Sequence, residues 1–581
     1  MKRLRILLGL VLLLILTAGA WLWFNVPGKV DLADYAPADS LVYVEFNDLS
    51  KVARAIQHTE VWQSTAPITQ SKADSENRLF TAAARAGIGP IESVLFARSQ
   101  IALVVVGLNT SEQDDTLKVR PEIALIAETH TSRWRTKSVM VEGVKRLANF
   151  AYGASSCVGP GDNSDLFQCS IPGSDRKLVG AIHGTTIILA NSDNALQSCL
   201  DVRSGSRPSI RTDSEFLRSR TSVATEQSLG FGYISAANSA KLFSWAAPLL
   251  MGLSPGDQQL QQLLAVSAGK ILRGMAWTSV PSRGGIEDHF MFSLEPGVVA
   301  RLQPAFETSQ RDDTFWKLVP SGFQSLTIYR SRQPAAAWNS LDSAVSLKLD
   351  ALPAVLFGSL LKSSLSAYGI SNPKEVLTMM SPPLLTMKPA GAEGPVLIAR
   401  VTDGTNSLQQ EVFKDNAQGQ VLSGLESSPD TAKEFSAVFA DGYVILGKTE
   451  NVRPCLRELR ESQSVTEDKK NVQDAAREST AAIVTYSNDE ARLTKFISTL
   501  LLLQGRHLSS EEFDRLQGTV RRSSFASTET RLSASGIERT THSAFGQFST
   551  FISLLQPDQP NSLARHQHSL PDQQYSPARQ Q

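Results

Sequence analysis

Two stretches of the chain carry the same order of apolar and polar positions. HGTTIILANSDNALQSCL begins at His183, and DGYVILGKTENVRPCL begins at Asp441. In each stretch a turn-type dipeptide precedes an apolar run, and a polar break then leads into a helical pattern that ends in Cys-Leu. A dipeptide of the Asp-Gly type between two apolar runs is a strong hairpin signal, so 183–184 and 441–442 predict two-residue turns. Ser192 and Thr449, at the polar breaks, predict helix N-caps.

The likeness between these stretches extends through most of the chain. PADSLVYVEF matches PSGFQSLTIY, PEIALIAE matches GPVLIARV, and LGFGYIS matches AAIVTYS, all in the same order. This order predicts a tandem duplication, with a first repeat at 27–298, a linker at 299–317 and a second repeat at 318–556. The period is much longer than the 20–50 residues of a solenoid repeat, so the repeated unit is a domain.

The predicted strands and helices do not follow a regular βαβα alternation, and hairpin signals are frequent. This pattern is typical of the α+β class. We therefore predict that each repeat is a mixed domain with a mostly antiparallel sheet and helices on one face. The sequence leaves open whether the two repeats pack about a pseudo-two-fold axis or lie side by side.

The N-terminus has the pattern of a membrane anchor. Lys2, Arg3 and Arg5 precede an uncharged run from Ile6 to Phe24, which as a helix spans roughly 28 Å, close to the thickness of a bilayer core. The positive charges predict a cytoplasmic N-terminus and a periplasmic body, with 1–26 as a single-pass helix in a bacterial inner membrane. A cleaved signal peptide is the alternative, with 18–20 as the A-x-A site. We favour the anchor because the apolar run continues past that site.

The C-terminal segment 557–581 is rich in Gln, Pro and Ser. It has too few apolar residues to bury, so we predict a disordered tail. His566 and His568 lie in this tail, and we interpret them as solvated side chains with no metal.

Composition excludes little, but charge and cysteine usage are informative. The chain has 57 basic and 57 acidic residues, which gives no electrostatic reason to expect a nucleic-acid partner. Cys157 and Cys169 enclose a Gly-, Pro- and Asp-containing loop, and in an oxidising compartment they are a candidate disulfide. Cys199 and Cys455 occupy matching places in the two repeats, and we interpret them as small buried helix residues.

Known catalytic motifs are absent, and we predict no cofactor and no metal site. One segment of the first repeat has no counterpart in the second: His130, Arg133, Trp134 and Arg135 are a candidate basic, aromatic patch for an anionic glycan or phosphate. The alternative, which we favour, is an exposed loop that leads into the next helix, with Trp134 packed on the sheet.

The segment PADSLVYVEFNDLSKVARAI, which begins at Pro37, resembles the start of an uncharacterised bacterial envelope family, the domain of unknown function numbered 3352. The resemblance also covers the N-terminal anchor that precedes this segment. It implies an envelope location and a bacterial source. The family has no established activity, so the resemblance implies no functional residues.

Three functions are consistent with these patterns. The first, which we favour, is a non-catalytic binding module of the bacterial envelope whose partner is an envelope protein or ligand. The second is a carrier of an apolar ligand in a cleft, which requires an apolar cavity of at least about 300 Å³. The third is a hydrolase with an unfamiliar site, which requires a pocket with converging titratable groups.

Overall fold

The computed structural model describes residues 29–69, 99–113, 116–130, 133, 136–137, 156–158, 165–170, 176–235, 238, 269–309, 312–349, 351–401, 408, 419–430, 432–461, 467–503, 508–521 and 525–553. The predicted anchor at 1–26 and the predicted tail at 557–581 lie outside these residues. Within the described ranges, no helix is both long enough and apolar enough to cross a membrane.

Nineteen strands form a single sheet. They are β1 Val42–Phe46, β2 Gln100–Gln113, β3 Thr116–Glu128, β4 Ser156–Val158, β5 Leu166–Ser170, β6 Lys177–His183, β7 Thr186–Ala190, β8 Gly230–Ser235, β9 Leu272–Ser282, β10 Gly285–Leu294, β11 Phe323–Tyr329, β12 Met380–Pro389, β13 Val396–Val401, β14 Gly419–Ser423, β15 Phe435–Ala440, β16 Tyr443–Lys448, β17 Ile483–Asn488, β18 Phe525–Ser533 and β19 Gly536–Ser543.

The pairings place the strands in the order β4-β5-β6-β7-β3-β2-β1-β8-β9-β10-β19-β18-β17-β11-β12-β13-β16-β15-β14. The pairs are antiparallel, except that β14 runs parallel to β15. The structure is therefore a mixed α+β fold with a large, mostly antiparallel sheet, as predicted.

When read outward from the middle of the sheet, the two halves have the same strand order apart from the edge strand β4, which only the first half has among the described residues. The outer pair also differs, since β5 is antiparallel to β6 and β14 is parallel to β15. From β10 the order is β10, β9, β8, β1, β2, β3, β7, β6, β5, and from β19 it is β19, β18, β17, β11, β12, β13, β16, β15, β14. The halves meet where β10 pairs with β19, from Ile286 opposite Ser543 to Ser293 opposite Gly536. Below, "first half" means the described residues up to 309, and "second half" means those from 312 onward.

The helices described are α1 Leu49–Gln57, α2 Glu60–Thr69, α3 Asp193–Ser204, α4 Ser214–Val223, α5 Pro296–Phe306, α6 Pro334–Ser346, α7 Ala351–Ser366, α8 Pro373–Thr378, α9 Thr449–Glu461, α10 Glu467–Glu478, α11 Glu490–Leu503, α12 Ser510–Arg521 and α13 Phe548–Ser553. Short 3₁₀ helices cover Leu32–Tyr35, Ile210–Thr212 and Thr314–Leu318. The segment 299–317, predicted as a linker, therefore contains most of α5 and the start of a 3₁₀ helix.

The two predicted turns differ in detail. Asp441 and Gly442 form the β15–β16 turn, and both have positive φ, 52° and 77°. In the β6–β7 hairpin, His183 is the last strand residue and pairs with Thr186, while Gly184 takes the positive φ of 63°. The prediction that His183 sits in the turn is wrong by one residue, because a glycine at the first turn position is enough for a tight hairpin.

The helix starts follow the local sequence. Ser192 caps α3, and its side chain accepts a hydrogen bond from the backbone N–H of Ala195. Thr449 is instead the first residue of α9, and its hydroxyl lies 2.8 Å from that of Ser436.

The prediction of helices on one face of the sheet is wrong. In β13, Val396 and Ile398 pack in the same apolar cluster as residues of α9. Leu397 and Ala399 point to the other face and pack in a cluster with residues of α8. A continuous apolar run such as VLIA is typical of a strand that is covered on both faces.

Candidate functional site

The junction of the two halves is held by a buried carboxylate. Asp288, in β10, is fully buried. Trp277 Nε1 donates to it at 2.9 Å, the Ser279 hydroxyl also donates to it, and the backbone N–H of Gln547 donates to it at 3.0 Å. Burial raises the pKa of this carboxyl above its usual value, although these donors oppose the shift. Asp288 thus fastens the C-terminal segment of the second half to the first half.

Apolar packing joins the halves beside Asp288. Val61 of α2 belongs to the first half and packs in a buried cluster with Phe496 of α11 and Leu516 of α12. Phe545, which follows β19, belongs to the same cluster and stacks on Phe496 with ring centroids 4.5 Å apart. This cluster and the β10–β19 pairing make the two halves one continuous body.

A cleft opens next to this junction. Its volume is about 300 Å³. Its walls come from both halves: Glu60, Val61, Arg283 and Gly284 from the first half, and Asn471, Val472, Ala475, Tyr486, Phe525, Ala526, Ser527, His542, Ser543 and Ala544 from the second half. Aliphatic, aromatic and polar residues all line it, so its lining is mixed.

Several polar groups in the cleft have no partner among the residues that the structure describes. Tyr486 is 3% exposed, and its hydroxyl, in the wall of the cleft, makes no hydrogen bond there. Burial raises the pKa of this phenol, so it stays a hydrogen-bond donor at neutral pH. Glu60, Arg283 and Asn471 at the rim likewise make no side-chain bond within those described ranges. A few polar groups in the wall of a cleft are what fixes the orientation of a bound ligand.

His542 connects the cleft to the hairpin of the other half. Its Nδ1 lies 2.8 Å from the hydroxyl of Ser282. The strands approach closely here, because a side chain at Gly285, in β10, would collide with the backbone of Ser543. A serine and a histidine in contact are the start of a nucleophile–base pair. In the described part of the chain no carboxylate makes a hydrogen bond to His542, although Glu287 lies opposite it in the β10–β19 pairing.

A second polar cluster lies under the N-terminal segment of the first half. Glu45, Gln100, Glu128 and Thr186 lie on the adjacent strands β1, β2, β3 and β7 and are all buried. The Thr186 hydroxyl donates to Glu128 at 2.6 Å, and the Tyr35 hydroxyl lies 2.9 Å from that of Thr186. We call these four strand residues the buried polar row.

Arg220 neutralises one end of the buried polar row. It donates to Glu45 at 2.7 Å and to Asp31 at 3.0 Å and 3.1 Å. The Tyr43 hydroxyl also donates to Glu45, at 2.7 Å. Burial raises the pKa of Glu45, and the charge of Arg220 opposes this shift. Since its groups are satisfied and no cavity described here opens on it, the row is a structural network.

The second half has no such row. In the first half Tyr43 pairs with Tyr233, and in the second half Leu326 pairs with Tyr486. Glu45 lies two residues after Tyr43, and Ile328 lies two residues after Leu326, so Ile328 occupies the place of Glu45. Glu128 lies opposite the first residue of β7, and Arg400 lies opposite the first residue of β16. The single acidic residue in the apolar strand VYVEF was the sequence signal for this difference.

The structure gives the predicted basic patch two separate sets of contacts. His130 has a positive φ of 51°, and its Nε2 lies 3.0 Å from Gln100 Oε1. Arg133 is exposed and donates to Asp165 at 2.5 Å. Trp134 and Arg135 lie outside the described residues, so the packing of this aromatic ring stays a prediction.

The cysteines fall into two kinds. Cys157 and Cys169 lie directly opposite each other on β4 and β5 and are joined by a disulfide. Cys199 and Cys455 are free and buried in equivalent helices, and burial raises the pKa of each thiol to about 12. Within the described ranges, no group of His, Cys, Asp and Glu is arranged to hold a metal ion.

Comparisons with known proteins add little. No family model matches the chain, and no curated protein matches it. Among solved structures, the chain is similar to the structure of crystal form III of TP0453, with 12% identity over 48% of this chain and 90% of that chain and a TM-score of 0.24. A likeness of this size supports no argument about fold or function.

Proposed function

We propose that this protein is a membrane-anchored, extracytoplasmic binding protein of the bacterial envelope, without catalytic activity. It consists of two homologous α+β repeats, and its ligand binds in the cleft at their junction. The observation that carries the proposal is the convergence, in one cleft, of polar groups from both halves that have no partner among the described residues, among them the hydroxyl of Tyr486. The apolar run from Ile6 to Phe24 supports the anchor.

The tandem duplication is part of this proposal. Its support is the strand order that the two halves share apart from β4, together with matching contacts at equivalent places. In the first half Arg220 binds Asp31, the residue before the first 3₁₀ helix. In the second half Arg477 binds Asp313, the residue before the equivalent 3₁₀ helix, at 2.9 Å. Duplicated domains that meet at a pseudo-two-fold junction commonly place their ligand there.

The residues that line the cleft favour a polar ligand over the two alternative functions, a carrier of an apolar molecule and a hydrolase. A carrier of an apolar molecule needs an apolar cavity, whereas Glu60, Arg283, Asn471 and His542 line this one. A hydrolase needs a complete catalytic set, and the Ser282–His542 contact lacks an orienting carboxylate within the described residues. Both observations favour a binding protein for a small polar ligand.

Native mass spectrometry of the full chain in detergent micelles tests the proposal. We expect a reproducible extra mass that is lost on unfolding. Tyr486→Phe combined with Asn471→Ala should lower its occupancy about tenfold, because each change removes a hydrogen bond to the ligand. Lys374→Ala, at an exposed position of α8, is the control, and Ser282→Ala should leave binding intact.

The contrary results are equally specific. Equal occupancy in the Tyr486→Phe, Asn471→Ala variant and the Lys374→Ala control would remove the cleft as the binding site. If the wild-type chain turns over its ligand, and Ser282→Ala binds the ligand normally but does not turn it over, the protein is a hydrolase and the binding function is wrong.

A further inference from the structure

The body of the protein begins very close to the end of the predicted anchor. The apolar run ends at Phe24, and the five residues 25–29 follow it. Val30 is already fixed: its backbone N–H donates to Gln100 Oε1 at 2.8 Å, and its carbonyl accepts from Gln100 Nε2 at 2.9 Å. Five residues span at most about 17 Å even when fully extended.

Such a short connection holds one end of the sheet, the end near Val30, against the bilayer. Gln100 begins β2, and its Nε2 also donates to Asn47, directly after β1, at 2.9 Å. His130, just beyond the end of β3, contacts the same Gln100 side chain. The C-terminal ends of β1 and β3 and the start of β2 therefore lie around Val30, where the body of the protein begins.

This end of the sheet carries basic side chains. Lys29 and Arg54 are exposed, and Lys51 Nζ donates to the carbonyl of Glu226 at 2.9 Å. Burial lowers the pKa of the Lys51 ammonium, and the nearby charges of Lys29 and Arg54 lower it further while Asp48 and Glu226 oppose them. Lys51 and Arg54 lie three residues apart on α1 and so share a face of this helix. Lys29 precedes Val30, which is bonded to Gln100 beside Asn47, just before α1.

Two residues that follow β3, His130 and the exposed Arg133, extend the basic surface. His130 contacts Gln100, and Arg133 is paired with Asp165. We call Lys29, Lys51, Arg54, His130 and Arg133 the basic end. Clustered Lys and Arg beside a membrane span are attracted by the negative surface potential of anionic lipids, and this attraction fades within a Debye length.

We infer that the basic end rests on the membrane and that Lys29, Lys51 and Arg54 bind the phosphates of anionic phospholipid headgroups. This inference rests on the membrane anchorage proposed above. It orients the sheet with the ends of β1, β2 and β3 toward the bilayer and the β2–β3 hairpin away from it.

Two exposed positions of the full chain distinguish this orientation. Glu226 lies beside Lys51 at the basic end, and Asn109 lies nine residues along β2 from Gln100, about 30 Å away at 3.3 Å per residue. Glu226→Cys and Asn109→Cys are labelled with the same fluorophore, since Cys199 and Cys455 are buried. The labelled chains are placed in nanodiscs that contain a lipid with a nitroxide on its headgroup.

We expect quenching at position 226 to be about threefold stronger than at position 109, because Asn109 lies roughly 30 Å along β2 from Gln100, at the end of the sheet that carries the basic side chains. Adding phosphatidylglycerol to phosphatidylcholine should strengthen it, and high salt should reverse that gain. Lys29→Gln, Lys51→Gln, Arg54→Gln should abolish the response to phosphatidylglycerol. Arg301→Gln, Lys362→Gln, Lys374→Gln, three exposed basic residues elsewhere, should retain it.

The failures of the two proposals are separable. If the full chain does not float with liposomes after carbonate extraction, the anchor itself is wrong. If it floats but the two labels are quenched equally, or position 109 is quenched more strongly, the orientation is wrong. If both triple variants respond alike to phosphatidylglycerol, the headgroup contact of these three residues is wrong.

Discussion

Arg220 and Arg477 occupy equivalent places in the two halves but neutralise different charges. Each lies in the last turn of the helix that precedes an equivalent strand, α4 before β8 and α10 before β17. Arg220 binds Glu45, whose side chain is 2% exposed. Arg477 binds Asp313 and Asp474, whose side chains are 45% and 52% exposed. One architecture therefore places a buried ion pair in the first half and a solvated one in the second.

This difference predicts unequal effects of the same substitution. Arg220→Met leaves Glu45 charged and buried without its cation, and we expect a loss of about 3–5 kcal/mol in the free energy of unfolding. Arg477→Met should cost no more than about 1 kcal/mol, because its partners remain in water. Urea unfolding of both variants measures the difference, and equal losses would contradict it.

The deficit of Arg220→Met should depend on pH. Burial raises the pKa of Glu45 in the folded protein, so its contribution to stability is full below the unfolded pKa and is lost as the pH rises through the folded pKa. Without Arg220 the folded pKa rises further. We expect the deficit to shrink as the pH falls from 7 toward 4. A deficit that stays constant over this range would show that Glu45 is not the cause.

Asp288 should be essential to the junction of the halves. Asp288→Ala leaves the indole N–H of Trp277 and the backbone N–H of Gln547 buried without an acceptor, and we expect a loss of about 3 kcal/mol. Its neighbour Glu287 is partly exposed and pairs with His289 at 2.7 Å, so Glu287→Ala should change stability by less than about 0.5 kcal/mol. Thermal and urea unfolding of the two variants provide the comparison.

The pH dependence of Asp288 has a defined sign. Burial raises its folded pKa, so the stability that it contributes is greatest below its unfolded pKa and falls as the pH rises through the folded value. Asp288→Asn removes this titration. The wild-type chain should therefore exceed Asp288→Asn in stability by more at pH 4 than at pH 7, and the opposite trend would contradict the raised pKa.

The disulfide can be tested by mass. With Cys157 and Cys169 joined, alkylation of the denatured, unreduced chain should modify two of its four cysteines, Cys199 and Cys455. Cys157→Ser combined with Cys169→Ser should lower stability by about 2–3 kcal/mol, because the short enclosed loop is no longer closed in the unfolded chain. Ser156→Ala, on the same strand, is the control. Alkylation of all four cysteines would exclude the bond.

Two glycines should respond in opposite directions to alanine. Gly442 has a φ of +77°, so Gly442→Ala should cost about 1 kcal/mol. Gly518 lies inside α12, where an added Cβ meets no atom within 4 Å, so Gly518→Ala should gain about 0.5–1 kcal/mol. Urea unfolding measures both, and a loss at Gly518 would show that α12 is not a regular helix there.

Local patterns were enough to predict the α+β class, the antiparallel hairpins, the Asp441-Gly442 turn and the Ser192 cap. These features depend on alternation, turn chemistry and capping within a few residues of the chain. The placement of helices on one face failed because it depends on what covers a strand from elsewhere in the sequence. The apolar run VLIA of β13 indicated that both faces of this strand are covered, but an apolar run alone does not say which helices cover them.

The cleft could not be predicted, because its walls come from segments far apart in the chain. Glu60 and Arg283 precede Tyr486 and His542 by hundreds of positions, and nothing local marks any of them. The buried polar row had one local signal, the acidic Glu45 in an apolar strand, but its partners Arg220 and Asp31 come from distant segments.

The sequence by itself determined the α+β class, the Asp441-Gly442 turn and the Ser192 cap, since these follow from backbone sterics, from capping chemistry and from the periodicity of apolar side chains. The tertiary structure alone decided that β10 pairs with β19, that Asp288 is buried between the halves, and that a polar cleft opens beside it. The physical reason is that burial, pairing of sheet edges and the pKa of a carboxyl depend on neighbours brought together in space, which periodicity along the chain does not encode.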